Sequence, residues 1–148
     1  MIVGSNFRRG RNPGDPAPFL ARSRLFRDAS PGLRMELARS AQRIVTARGS
    51  LVYEAGEFPG GLFIVGSGYI ALSVHRNRDR KVVGICGPGD SFGEDCIVGN
   101  AGAVSAQVVS AGLLVHLPQQ SVLEAMDRHP TVARCILRST RKSSPKRW

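Results

Sequence analysis

The residues best suited to bind a ligand or take part in a reaction lie between Ile85 and Val98, where glycines, a proline and three carboxylates follow one another closely. The two glycines around Pro88 predict a tight turn in which the main chain can approach a ligand. The carboxylates of Glu94 and Asp95 come a few residues later, and apolar β-type segments flank the whole stretch. This pattern predicts either a ligand-facing turn in a barrel wall or a plain connection between two strands.

The same residues do not predict catalysis. On an extended chain Glu94 and Asp95 would point to opposite faces, which argues against a paired general acid and base. No serine or cysteine stands in a nucleophile-elbow context, and Cys86 and Cys96 are expected to behave as small core hydrophobes. We therefore expect no catalytic residue and no enzymatic activity.

Metal and dinucleotide chemistry also lack the required spacing. The histidines His75, His116 and His129 fall in separate predicted elements, and no two cysteines form a C-x-x-C pair. No metal site is predicted, although a single haem or metal ligand at His75 or Cys86 stays open. The segment 66–71 has glycines at dinucleotide-binding spacing, but the residues after it are β-type rather than helical, so this interpretation fails.

The net charge of +10 is unevenly spread along the 148 residues. Residues 1–50 carry +7, residues 51–133 carry −3 and residues 134–148 carry +6. The body is thus mildly acidic and the ends are basic, which predicts solvated tails or weak, salt-sensitive, non-specific contact with nucleic acid.

Three cysteines and the lack of a signal-peptide pattern indicate a reducing cytoplasm. The uncharged stretch from Cys96 to Leu123 is interrupted by glycines and Pro118, so two strands are predicted there rather than a membrane span.

The elements that must position these residues follow from periodicity. Residues 1–24 are rich in Arg, Pro and Gly and predict a disordered basic arm. Ser30 is expected to cap a helix that begins at Pro31 and ends near Gln42. Seven short segments with strand-like alternation come next, and they predict an antiparallel sandwich or barrel: Ile44–Ala47, Leu51–Glu54, Leu62–Val65, Tyr69–His75, Lys81–Cys86, Val104–Ser110 and Leu113–Leu117.

Two helices are predicted after Pro118, one over Gln119–Arg128 and another from Pro130. The last helix carries an apolar stripe, which must pack on its own barrel or on a partner chain. We expect a homodimer formed through this stripe of Val132, Ala133, Ile136 and Leu137. Residues 141–148 predict a basic tail.

The order of these pieces resembles the cyclic-nucleotide-binding domain of the Crp/Fnr regulator family over about residues 25–140. The resemblance rests on several motifs: Leu25-Phe26, Gly56-Glu57 before the Leu62–Val65 strand, Ser67-Gly68, the run Gly87–Glu94, and Leu117-Pro118 before the final helices. It implies a mainly β fold with flanking helices, a small antiparallel jelly roll. It also implies a long C-terminal helix that pairs two subunits and leads into a helix-turn-helix, which we do not expect within these 148 residues.

The resemblance further implies a pocket in which Gly93 and Glu94 contact the ligand and the glutamate holds a ribose hydroxyl. In binding members an arginine several residues later grips the cyclic phosphate. Residues 99–112 contain no Lys or Arg, and Val104 or a neighbour stands where that arginine would lie. A phosphate in a semi-enclosed pocket needs a cation or several aimed N–H donors, and Asp95 adds a negative charge.

The sequence therefore predicts a small-effector sensing domain of a Crp/Fnr-like transcriptional regulator, with the lost arginine arguing against a cyclic nucleotide as cofactor. The alternative is a degenerate, effector-free module that acts by dimerisation or protein–protein interaction. The predicted ligand-binding residues are Phe92, Gly93, Glu94, Asp95, Cys96, Val104 and Ser105, and the turn after Asn100 is expected to complete the pocket.

Overall fold

The computed structural model describes residues 14–97, 99 and 104–143, with side chains as far as residue 138. All strand pairings in this part of the chain are antiparallel, so the mainly β roll with flanking helices is confirmed. The elements in chain order are α1 (Ala17–Arg22), α2 (Pro31–Ser40), β1 (Gln42–Thr46), β2 (Leu51–Tyr53), β3 (Gly61–Arg76), β4 (Asp79–Cys86), β5 (Ser91–Phe92), a 3-10 helix (Glu94–Cys96), β6 (Ser105–Pro118), α3 (Gln119–Arg128) and α4 (Pro130–Ser143).

The two longest strands, β3 and β6, form the centre of the roll. They pair from Gly61 opposite Pro118 to Ser73 opposite Ser105. The first half of β3 also pairs with β5, while its second half pairs with β4. Strand β6 pairs with β2 near its start and with β1 near its end. The two halves of this central pair therefore carry different neighbours and form the two layers of the roll.

The prediction of separate short strands is wrong in this region, because β3 runs continuously through Gly66 and Gly68 and β6 runs through Gly112. The register between the strands shifts around Ser67 and Tyr69, where both strands bend. Gly68 has a positive φ of 81°, and a Cβ at Gly112 would lie 2.1 Å from the carbonyl oxygen of Ser67. Glycine is thus needed to bring the two backbones together at the bend.

Two apolar clusters hold the molecule together. One lies inside the roll and includes Phe63 and Val65 from β3. The other lies between the roll and the helices and includes Leu62 and Ile64 from the same strand. Alternate residues thus enter opposite cores, which explains why this part of β3 is apolar without interruption.

The predicted helix boundaries after the arm are correct to within about two residues. Helix α2 begins at Pro31, and the hydroxyl oxygen of Ser30 accepts a hydrogen bond from the Leu33 N–H. Helix α3 occupies the predicted Gln119–Arg128, and α4 begins at Pro130. None of the described helices is both long enough and apolar enough to span a membrane.

The prediction of a disordered arm over residues 1–24 is wrong for its last part, where the chain forms helix α1. Leu20 is fully buried in the core beneath the helices. The Phe19 ring lies against Gly66 of β3, with the guanidinium carbons of Arg22 and Arg43 at 5.4 and 5.0 Å from the ring centroid. These contacts dock α1 on the roll. Residues 1–13 and the end of the predicted basic tail, residues 144–148, lie outside the described part.

The apolar stripe of α4 is used differently from the prediction. Val132 and Ile136 are 2% and 0% exposed and belong to the chain's own core. They are therefore wrong as dimer contacts. Ala133 is partly buried and Leu137 is 50% exposed, so these are the two residues of the stripe that a partner chain could reach. Dimerisation itself stays a prediction.

Candidate ligand-binding site

The sharp turn after β5 creates a small cavity inside the roll. Phe92 pairs with Phe63 of β3, and Gly93 then adopts a left-handed φ of 87°. A Cβ at Gly93 would also lie 3.1 Å from the carbonyl oxygen of Gly61, so glycine is favoured here on two grounds. The chain enters the 3-10 helix immediately afterwards, which brings Glu94 to a buried position.

The cavity encloses about 20 Å³, close to the space that one water molecule occupies. Six of the seven predicted site residues contribute to its wall, together with three residues that sequence reasoning missed. The described lining is Tyr53, Pro59, Leu72, Phe92, Gly93, Glu94, Asp95, Cys96 and Val104.

Ser105 is the predicted site residue that does not line this cavity. It is fully buried, and its hydroxyl oxygen accepts a hydrogen bond of 2.9 Å from the Ala55 N–H. Ser105 thus fastens the loop after β2 to β6. The turn after Asn100, which was expected to complete the pocket, lies largely outside the described residues.

The carboxylate of Glu94 lies beside an aromatic surface. Glu94 is 1% exposed. The rings of Phe63 and Phe92 are stacked with centroids 5.1 Å apart, and Tyr53 stacks on each of them at 6.1 Å. Burial raises the pKa of Tyr53 strongly, and the negative charge of Glu94 raises it further. The Tyr53 hydroxyl therefore stays protonated and is able to donate a hydrogen bond.

Glu94 and Asp95 lie in a 3-10 helix rather than on an extended chain, and they differ in burial. Asp95 is only partly buried, whereas Glu94 is almost completely so. Partial burial raises the pKa of Asp95 above its ordinary value. One carboxylate thus belongs to the interior of the roll and the other to its rim.

The two cysteines of this region are buried, as predicted. The Cys96 thiol donates a hydrogen bond of 3.0 Å to the carbonyl oxygen of Gly61, and burial raises its pKa to about 12. Burial also raises the pKa of Cys86 to about 12. Both side chains therefore carry neutral thiols at ordinary pH, which is the state expected of core residues.

The cavity wall has no compensating positive charge among its described residues, because none of them is Lys or Arg. The sequence adds that residues 82–127 contain neither Lys nor Arg. Val104 lines the cavity, and the resemblance predicts a phosphate-binding arginine at Val104 or a neighbour. The carboxylates of Glu94 and Asp95 could accept hydrogen bonds from a ligand that carries donors, whereas they would repel an anionic ligand.

The histidines do not form a second site. His75, on β3, lies 3.2 Å from the Arg80 guanidinium, His116 packs on Phe63 with a ring separation of 4.7 Å, and His129 follows α3. Within the described residues no three His, Cys, Asp or Glu side chains are grouped as metal ligands would be.

Comparison with known proteins identifies a family match over the strands of the roll and helix α3. The family model described as "Cyclic nucleotide-binding domain" matches residues 43–129. No curated protein matches the sequence.

Several solved structures are similar to the chain. The catabolite activator protein of Thermus thermophilus is 25% identical with a TM-score of 0.71, over 80% of this chain and 56% of that one. The regulatory domain of Toxoplasma gondii PKA with cAMP is 25% identical with a TM-score of 0.70, over 78% and 45%. The sensor domain of the transcriptional regulator DNR from Pseudomonas aeruginosa shares the fold at 19% identity, with a TM-score of 0.72 over 84% and 85%. The chain thus spans about half the length of the first two proteins.

Proposed function

The chain belongs to the cyclic nucleotide-binding domain family, and we propose that it is the effector-sensing domain of a Crp/Fnr-like transcriptional regulator. Its role in this proposal is regulatory rather than catalytic, and its place of action is the cytoplasm. The similarity to a catabolite activator protein supports this assignment.

The observation that carries the finer part of the proposal is the charge of the cavity wall. A cyclic phosphate held beside Glu94 and Asp95 needs a cation or several aimed N–H groups. The described wall contains no Lys or Arg, and residues 82–127 contain none either. We therefore expect cyclic AMP and cyclic GMP to bind weakly, and we assign an uncharged or cationic small molecule that donates a hydrogen bond to Glu94.

Restoring the cation tests this reasoning directly. In Val104→Arg a guanidinium is placed on the cavity wall, where one charge-assisted hydrogen bond to a phosphate is worth about 1.5–3 kcal/mol. Calorimetric titration of the full chain with cyclic AMP should then show an affinity about 10-fold to 150-fold higher than that of the wild type. Val109→Arg, at a position 46% exposed on β6, adds the same charge outside the cavity and should show no gain.

Two results would contradict the proposal. Micromolar binding of cyclic AMP or cyclic GMP by the wild-type chain would show that the missing arginine is not needed. Equal affinities of the two arginine variants would show that position 104 does not face the phosphate. Adenosine serves as the uncharged control ligand, because its affinity should not depend on either arginine.

The small size of the cavity favours a second candidate, an effector-free module that acts by dimerisation or protein contact. A space of about 20 Å³ holds one water molecule rather than an effector. If uncharged and cationic nucleosides and amines at millimolar concentration cause neither heat of binding nor a shift in unfolding temperature, this second candidate replaces the first.

A further inference from the structure

Strand β4 forms one end of the sheet order β1-β6-β3-β4. It pairs with β3 along one side, and among the described residues no strand pairs with its other side. The first half of β4 carries Asp79, Arg80 and Lys81, and such charges commonly protect a sheet edge from added strands. The second half, Val82–Cys86, has no charged residue. The edge is thus protected at one end and open to pairing at the other.

Apolar side chains accompany the uncharged half of the edge. Val82 and Ile85 are 54% and 55% exposed. Tyr69 on the neighbouring strand β3 is 49% exposed, and its ring lies against Gly87, two residues after Ile85. Isolated exposed apolar residues are ordinary, but three beside one open strand edge form a surface on which a further chain could bury apolar area.

A groove of about 750 Å³ begins at the end of this edge. Ile85 and Cys86 form one side of it, and Arg24, Arg27 and Arg138 line it from the helical side. Asp28 and Asp90 also line the groove, and Asp90 is engaged by Arg24 with Nη1 and Oδ1 3.4 Å apart. Arginine therefore exceeds aspartate around the groove, and the sequence after Ala133 adds further basic residues without any acid.

From these two features we propose that the β4 edge and the adjoining groove, which we call the edge groove, bind an extended acidic segment of a partner protein. The segment adds to β4 as a further strand over Val82–Cys86, so that its backbone supplies the hydrogen bonds. Its apolar side chains cover Ile85 and Val82, and its carboxylates meet Arg27 and Arg138. This site lies on a different strand from the cavity beside Glu94 and does not depend on an effector.

The charge distribution favours another protein over a second copy of this chain. A second copy carries the same excess of arginine at its own groove. Pairing two β4 edges would bring these like charges together, and like charges across an interface oppose association. An acidic segment has the complementary charge.

Fluorescence anisotropy with labelled peptides tests the proposal on the full chain at about 0.15 M salt, where long-range attraction is largely screened. The probe is an alternating Glu-Val peptide of twelve residues, and the control is a Glu-Pro peptide of equal length and charge. Proline has no N–H and cannot complete a strand ladder. We expect the Glu-Val peptide to bind at least about tenfold more tightly than the Glu-Pro peptide.

Two pairs of variants locate the contact. Ile85→Thr and Arg138→Glu should each weaken the Glu-Val complex by about tenfold. Val45→Thr and Arg39→Glu likewise replace an apolar β-branched side chain by threonine and reverse one charge, at exposed positions on β1 and α2, and should leave it unchanged. Unfolding temperatures of all four variants verify that each is folded. Amide exchange should slow at Val82–Cys86 when the Glu-Val peptide is bound.

Three results would overturn the proposal. Equal binding of the Glu-Val and Glu-Pro peptides would mean simple charge attraction to a basic protein. No binding of the Glu-Val peptide at millimolar concentration would mean that the edge accepts no strand. Self-association that Ile85→Thr abolishes would assign the edge to a second copy of the chain.

Discussion

The most informative perturbation compares two adjacent residues of α4, Ile136 and Leu137. Ile136 is fully buried in the core beneath the helices, whereas Leu137 is 50% exposed. Replacing a buried isoleucine by alanine costs about 2–5 kcal/mol, because apolar contacts are lost and a cavity remains. Full burial of a leucine is worth about 1.5–3 kcal/mol, so a half-exposed one should contribute about 1 kcal/mol. We therefore expect Ile136→Ala to be clearly less stable than Leu137→Ala.

Urea unfolding followed by circular dichroism measures this difference. With a slope of about 2 kcal/mol per molar urea, the middle of the usual range, Ile136→Ala should lower the unfolding midpoint by about 1–2.5 M. Leu137→Ala should lower it by about 0.5 M. The slope itself should stay constant, because neither change is expected to alter the surface exposed on unfolding.

Sedimentation of Leu137→Asp extends the comparison to the predicted homodimer. A charge at the half-exposed position should disrupt a helix-mediated dimer while the chain stays folded. The reasoning is refuted if Ile136→Ala unfolds at the wild-type midpoint and shifts a dimer to a monomer, because Ile136 would then belong to an interface and not to the core. If Leu137→Asp leaves the mass of a dimeric chain unchanged, α4 does not form the dimer.

Two further predictions concern backbone and thiols. Gly112→Ala should lower the free energy of unfolding by more than about 1 kcal/mol, since its Cβ would lie 2.1 Å from a carbonyl oxygen of β3. In the control Gly84→Ala the new Cβ meets no atom within 4 Å, so this change should be tolerated. Similar unfolding midpoints of the two variants would contradict this prediction. In the native chain a thiol reagent at pH 8 should modify the partly exposed Cys135 first, because burial raises the pKa values of Cys86 and Cys96 to about 12. If the variant Cys135→Ser reacts as fast as the wild type, one of the core thiols is accessible and the prediction is wrong.

Local signals predicted the helices that begin with a cap and a proline. Ser30 with Pro31 and the proline at position 130 fix where α2 and α4 begin, and these signals need no knowledge of the rest of the fold. Helix α1 was missed because its six residues follow a stretch rich in Pro, Gly and Arg, whose composition predicts disorder. Its order depends on Leu20 in the core and on Phe19 against Gly66, and these contacts are distant in sequence.

Some residues of the cavity wall could be predicted from the sequence and others could not, for a similar reason. The glycine-rich run located Gly93 and Glu94 correctly beside a cavity, because a positive φ and a close backbone approach both require glycine there. The contribution of Tyr53 was missed, since an aromatic residue in a short strand looks like any core residue. Only the pairing of β2 with β6 brings Tyr53 to the cavity. Ser105 does not line this cavity, because its side chain bonds the Ala55 N–H instead, and its place in a motif says nothing about that direction.

The 3-10 helix after Gly93 connects the cavity to the helices. Its first residue, Glu94, lines the cavity, while Cys96 at its end and the following Ile97 are buried in the core that also contains Ile136. Because it is only three residues long, Glu94 cannot move far without displacing Cys96 and Ile97. A close-packed core transmits such displacements rather than absorbing them. A displacement of Glu94 would therefore disturb the core in which Cys96 and Ile97 pack with Ile136 of α4.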